Sequence, residues 1–380
     1  MKNCISLICA IFLLNSFNSF ANISFSGFGS IVAGKTMGTV DDPLNPGQTR
    51  DEILTADFYD VGQYTNDITF KAESLFAIQS RVEISPELSV TGQLVAKGTD
   101  DFEAEFDWYY LTYNLSDSTT LMAGRRNIPM YYFSEFSEVG YAYPWIRPPS
   151  NLYWWQITQF NGVHLSHSFD MGNYFNTITV FYGNEYHYDN KEMLYYDKLY
   201  GGSATSVDEI WTNIVGFNWN FVGDNFDLRF VYFQNDRDRD TNFADGSVTS
   251  TTPFSQQFAG LGGTVNWEQF TFLFDWNYVT YDDALGTIFP TYLISVVYNF
   301  DEYQPYISYS KADHEREDAS PPTEDLEEHY MLSYGVRYNF TGSASLKIQY
   351  DIFRDQGHEA TGWAYHGDSD TIAIAIDFVF

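Results

Sequence analysis

The sequence predicts an all-β chain, a 16-stranded antiparallel transmembrane β-barrel. Three observations carry this reading. The chain starts with a secretory-type leader. It is 19% aromatic yet has no apolar stretch long enough for a membrane helix. Its last ten residues alternate strictly between two faces.

The leader comes first. Lys2 supplies the positive end, Ile5 to Leu14 is a short apolar core, and Ser19-Phe20-Ala21 places small residues at the −3 and −1 positions of a cleavage site. About ten apolar residues fall short of the roughly 20 that span a bilayer as a helix. The expected organisation is therefore a signal peptide, 1–21, and one barrel domain, 22–380. Cys4 and Cys9 both lie in the leader, and neither follows the apolar core as a lipoprotein acceptor would. A chain starting at Asn22 has no disulfide and no thiolate metal site, and no cofactor or metal is expected. The balance of 51 acidic against 19 basic residues, net −32, excludes nucleic acid as a partner by charge repulsion. Aromatic wealth excludes a disordered chain.

Strand-like segments recur at roughly 23–34, 74–85, 88–98, 102–114, 119–126, 158–168, 174–183, 211–221, 225–235, 257–267, 269–281, 289–300, 303–312, 328–340, 343–354 and 370–380. Sixteen is even, as closure of an antiparallel barrel requires. Every second connection reads as a tight turn, such as Pro86-Glu87, Gly223-Asp224 and Thr341-Gly342. The others include long segments: 35–73, 127–157, 184–210, 236–256, 313–327 and 355–369. Short turns on one side and long loops on the other are the asymmetry of outer-membrane barrels.

Individual segments show two faces. In the last, Ile372, Ile374, Ile376, Phe378 and Phe380 oppose Ala373, Ala375 and Asp377. This terminal pattern resembles the assembly signal of outer-membrane proteins, carried by Phe380, Phe378 and Ile376. The second segment sets Arg81 and Glu83 opposite Phe76, Ile78 and Val82. The fourth sets Glu103, Glu105 and Asp107 inward against Phe102, Phe106, Trp108 and Tyr110. Arg229, Arg337 and Lys347 fall on the polar faces of the ninth, fourteenth and fifteenth. These charged faces are expected to line a wet lumen and the aromatic faces to meet lipid.

At this point the arrangement resembles the 16-stranded general and substrate-specific porins of Gram-negative bacteria, over essentially the whole of 22–380. The resemblance implies a passive, water-filled channel in the outer membrane for ions and small hydrophilic solutes. It implies a third loop folded into the lumen, acidic loop residues facing basic wall residues. Carried onto this chain, the acids are Glu135 and Glu138. The cations are Arg81, Arg126 and Arg147. If Leu121 and Ala123 face lipid, Arg126 points inward and Arg125 turns toward the rim; a one-residue slip exchanges the two. Partners implied are outer-membrane lipid and lipopolysaccharide, periplasmic chaperones, the barrel-assembly machinery and two further copies in a homotrimer. The second external loop, Thr99 to Asp101, is too short for the trimer latch of such proteins, leaving monomer or wall-packed trimer open; the long first loop is the alternative latch.

Acids crowd the seventh loop (Asp313, Glu315, Glu317, Asp318, Glu324, Asp325, Glu327, Glu328), which predicts a weak preference for cations. Rings in the third loop, including Tyr131, Tyr132, Tyr141, Tyr143, Trp145, Trp154 and Trp155, support two readings. They anchor the loop or join the upper girdle, or they line a slide for sugars in a substrate-selective channel. A non-conducting adhesive or structural barrel is the third alternative. Enzymatic readings have little to stand on: there is no Gly-x-Ser-x-Gly elbow and no Walker loop. The run Asp236 to Asp240 begins like a calcium loop, but Thr241 and Ser247 stand where that motif needs Gly and Glu.

Overall fold

The computed structural model describes residues 22–42, 47–199, 201–282, 286–316, 327–356 and 367–380. The leader and parts of the loops, Glu317, Asp318, Glu324 and Asp325 among them, lie outside the described residues. Sixteen long strands form the wall: β1 (Asn22–Thr36), β2 (Leu75–Glu83), β3 (Leu88–Lys97), β4 (Ala104–Ser116), β5 (Thr119–Asn127), β6 (Gln159–Met171), β7 (Tyr174–His187) and β8 (Ala204–Gly223). They continue as β9 (Phe226–Phe243), β10 (Phe254–Trp267), β11 (Phe270–Tyr281), β12 (Thr287–Tyr298), β13 (Tyr303–Arg316), β14 (Glu327–Thr341), β15 (Ala344–Asp355) and β16 (Ser369–Val379). Each pairs antiparallel with its neighbour, and β1 closes the ring on β16 from Phe28↔Val379 to Thr36↔Thr371. Closure satisfies every strand edge within the wall, which hydrocarbon demands.

Alternation sorts the faces. Along β16, Ile372, Ile374 and Ile376 are exposed on the outside while Ala373, Ala375 and Asp377 are buried inside. The rings of Phe378 and Phe380 lie over Gly29 and Gly27 of β1, where any side chain would collide with them. The smooth seam is thus made by glycine on one strand and phenylalanine on the other.

Three expectations need correction. In β4 the register against β3 slips at Gln93/Leu94, so one residue is inserted beside Asp107. A bulge reverses the alternation beyond it. Trp108 and Tyr110 therefore face the lumen rather than lipid, while Glu103, Glu105 and Asp107 keep their inward side. Second, β8 and β9 run to 20 and 18 residues, well into segments read as loops. Their upper ladder puts Arg237 and Arg239 inside, where both clasp buried Glu209, and Asp236, Asp238 and Asp240 outside. Polar composition hid a two-faced strand. Third, part of the first loop, read as one alternative latch, turns inward. Its short hairpin, Leu54–Asp57 with Gly62–Tyr64, turns onto the barrel's inner surface. There Leu54 and Tyr64 pack with Val32, Ala373 and third-loop Ile146.

Candidate functional site

The loop between β5 and β6, residues 128–158, crosses the lumen. Its neck is closed by the bond from the Ile128 amide to the Thr158 carbonyl, 2.8 Å. Asn127 Nδ2 donates to the Ser134 carbonyl at 2.7 Å and shapes the first turn. From there the loop rests on one side of the wall, strand after strand. Asp275 of β11 accepts from the Tyr132 amide (3.0 Å) and the Tyr153 hydroxyl (2.6 Å). Trp145 Nε1 donates to Ser308 of β13 at 2.5 Å, and the Ile146 amide to Gln349 of β15 at 2.9 Å. Arg337 of β14 donates to the Tyr143 carbonyl at 3.1 Å.

The rings do the rest. Tyr131, Tyr143, Trp145, Trp154 and Trp155 are buried in one cluster with wall residues Trp211, Phe258 and Phe289. Flat side chains in a lumen would otherwise lose their packing to water, so this cluster is the loop's seat. Trp154 and Trp155 lie inside the barrel, not in the upper girdle, while Tyr132 and Tyr141 of the same loop are half-buried.

The sequence-predicted charges separate into groups. Glu135 is held between two wall cations, 2.7 Å from Arg229 and 3.2 Å from Arg126. Burial alone would push its pKa up, but the Arg229 and Arg126 guanidiniums hold it below the ordinary carboxylate range. Arg126 also lies 4.9 Å from the centre of the Tyr110 ring. Glu138 is 2.7 Å from Lys97, which reaches Asp60 of the first loop at 2.8 Å. Lys97 and Asp60 were not singled out from sequence. A lysine ending an apolar strand beside a short loop was the available signal.

Arg125 was expected to turn away at the rim. It turns instead onto Glu185 (2.5 Å) and Gln159 (2.9 Å) and lines the upper cavity. Gly124 before it adopts φ +140°, a conformation open to glycine. Both neighbouring arginines therefore reach lumen groups. Arg81 and Glu83 lie on the inward row near the periplasmic turn, and Arg81 forms no ion pair among the described residues, far from the loop's contacts. Arg147 is largely buried, not free in the opening: it donates to the Glu73 carbonyl at 2.8 Å and lies 3.8 Å from Asp377. Lys347, expected to line the pore, is fully buried beneath the loop. It is 2.9 Å from equally buried Asp377 and donates to the Gly140 carbonyl at 2.5 Å. Ser30 of β1 also donates to Asp377. An acid closing the Ile/Ala run 372–376 was the sign of this anchor. On the outer face of the same terminal segment, Ile376 and Phe380 are exposed and Phe378 is half-buried.

Because the loop leans on β9–β16, open space remains on the side of β3–β7. Two neighbouring cavities of about 120 and 130 Å³ share Tyr59, Lys97 and Gln159. Their walls are rich in acids: Asp57, Asp60, Glu73, Glu138, Asp107 and Glu105. Burial, then repulsion from Asp60, pushes Asp57 up to about 6. Burial pushes Glu73 up to about 7 against the opposing pull of Arg147. Below the loop lie two further cavities, of about 150 and 270 Å³.

A closed barrel narrowed from within by an internal loop is the architecture of an outer-membrane channel. Residues 136–358, more than half the chain, match the model of the Gram-negative porin family, and the chain belongs to that family. Solved structures agree on the fold. OmpT of Vibrio cholerae superposes with a TM-score of 0.60 at 9% identity, covering 96% of this chain and 99% of that one. The outer membrane channel DcaP of Acinetobacter baumannii gives 0.58 at 11% identity, covering 96% and 99%. An anion-selective porin from Comamonas acidovorans gives 0.55 at 12% identity, covering 95% and 100%. No curated protein sequence matches this chain significantly. The protein is an outer-membrane porin.

Proposed function

We propose that the channel passes ions and small hydrophilic solutes by diffusion, with a weak preference for cations. The observation that carries this is the eccentric opening beside the third loop. Its lining holds eight carboxylates, Asp57, Asp60, Glu73, Asp100, Glu103, Glu105, Asp107 and Glu138, against Lys97, Arg125 and Arg147. A wet passage of that balance concentrates cations. At its lower edge Glu135 opposes Arg126 and Arg229, so a solute crosses a transverse field. The family and the fold support a channel rather than an enzyme.

The test is single-channel current in a planar bilayer under a tenfold KCl gradient. A large, poorly saturating conductance with a reversal potential of cationic sign is the expected result. No conductance from folded protein would overturn the reading in favour of a non-conducting barrel.

We also infer a homotrimer packed wall to wall. OmpT of Vibrio cholerae has been solved in a trimer form. Here β2, β3 and β5 are only 9, 10 and 9 residues long, and Ile78 of β2, Val90 of β3 and Leu111 of the intervening β4 are exposed. Residues 1–21 are read as the leader removed on export. The outward rim, where Lys311 and Arg354 flank Tyr330, is read as facing lipopolysaccharide.

A further inference from the structure

We propose that the vestibule beneath the third loop, on the periplasmic side, is a binding site for a small carboxylate carrying a flat apolar body. The inference rests on the reading of the lumen as water-filled and adds to it a solute class that the acidic upper opening does not favour.

The vestibule is the roomiest of the four cavities described above, about 270 Å³. Its floor is the lower wall of β10–β14 and its roof is the loop. The roof presents the half-buried rings of Tyr132 and Phe136 for a flat solute to pack on, with the buried rings of Phe133 and Tyr143 behind them. The wall contributes one charged side chain, Arg337. In a chain with 51 acids and 19 bases, this guanidinium pairs with no carboxylate among the described residues. The groups it touches are neutral: Nε donates to Asn339 at 2.7 Å, Nη1 to the Tyr143 carbonyl at 3.1 Å, and the Tyr141 ring centre lies 4.5 Å away.

A guanidinium has five donors in a fixed fork, and carboxylate is the group that fork matches. Beside it, Gln304 donates to Asn299 at 2.7 Å and Asn299 to Thr271 at 3.1 Å, a polar rail leading toward the periplasmic turns. An anion descending from the acidic opening would be repelled. From the periplasm it passes the turn acids Glu268, Asp301 and Glu302, after which Arg337 is the one charged group lining the vestibule.

The test uses the folded full-length barrel in a planar bilayer with benzoate as probe, after its KCl conductance has been recorded. Benzoate added on the periplasmic side is expected to interrupt the current at concentrations at least tenfold below those needed from the other side. Benzamide, which keeps the ring, and acetate, which keeps the charge, should each be at least tenfold weaker. R337Q should raise the half-blocking concentration at least tenfold and R337K should restore part of it. Saturation-transfer NMR of benzoate on the detergent-solubilised protein reads the site without conductance. If R337Q fails to fold, T271W fills the vestibule and leaves Arg337 in place, and it should abolish the NMR signal. Absence of both block and NMR transfer in the wild type, or block unchanged in R337Q or T271W, overturns the site. A silent bilayer with NMR transfer intact would overturn the channel reading alone.

Discussion

Glu135 is the residue on which selectivity turns, because its two oxygens are divided between Arg229 and Arg126. Glu135→Gln leaves both cations facing the passage without a counter-charge. The expected outcome is a reversal potential shifted toward anions, with single-channel conductance changed less than twofold, measured in the same KCl gradient. Asp57 and Glu73 make the preference depend on pH. With pKa values raised to about 6 and about 7, both are neutral at pH 5 and ionised at pH 8. Raising pH adds negative charge beside the opening, so cation preference should grow from pH 5 to 8. The double variant Asp57→Asn, Glu73→Gln should flatten that slope, and a slope unchanged in it would remove these residues from the explanation.

Among the elements, the third loop depends on buried polar contacts, and the pair Lys347–Asp377 bears on it most directly. Removing one partner of a buried pair costs on the order of 3–5 kcal/mol, because the other charge is left uncompensated. Asp377→Asn should therefore loosen the loop: larger, noisier current and protease cleavage within 128–158 are the expected readouts, with the barrel still heat-modifiable on gels. The external helix α1 (Lys191–Leu199) behaves differently. Asn190 caps it through the Met193 amide at 2.9 Å, and Glu192 is buried with its carboxyl accepting from Gln156 at 3.0 Å. Burial pushes Glu192 up to about 8. Between the ordinary carboxylate value and that one, the folded form holds a proton the unfolded form releases. Its contribution to stability is thus full below about pH 4.5 and lost as pH rises through about 8. Denaturation in urea should show a midpoint falling over that range, and Glu192→Gln should remove the fall.

At the scale of the molecule, the sixteen strands and their alternating short and long connections were legible because period-two patterning and turn residues are local signals. The errors arose where a local count could not see a neighbour. The inserted residue at Asp107 is visible only against β3, and the ladder of β8 and β9 only once Glu209 meets Arg237 and Arg239. Glu135 and Arg126 were readable as loop acid and wall base. Asp275, Lys97 and Asp377 were not, since each acts on chain far from it in sequence. The wall is uneven, short at β2, β3 and β5 and tall at β8 and β9. If the short side is a subunit interface, Ile78→Glu should convert a detergent-solubilised trimer into monomers by native mass measurement. An unchanged mass, or a monomeric wild type, would place that side against lipid.

The loop that narrows the lumen has a seat drawn from remote sequence. Gly140 rests on Lys347, 207 positions onward, and Ile146 on Gln349, 203 onward. Bonds within the segment, such as the Phe133 amide to the Tyr153 hydroxyl, shape its turns, and the wall fixes where they stand. The aperture is therefore not coded by the loop alone: its width also depends on strands that are made long after the loop is, and a substitution in β11, β15 or β16 can retune permeation without touching a residue that any solute meets.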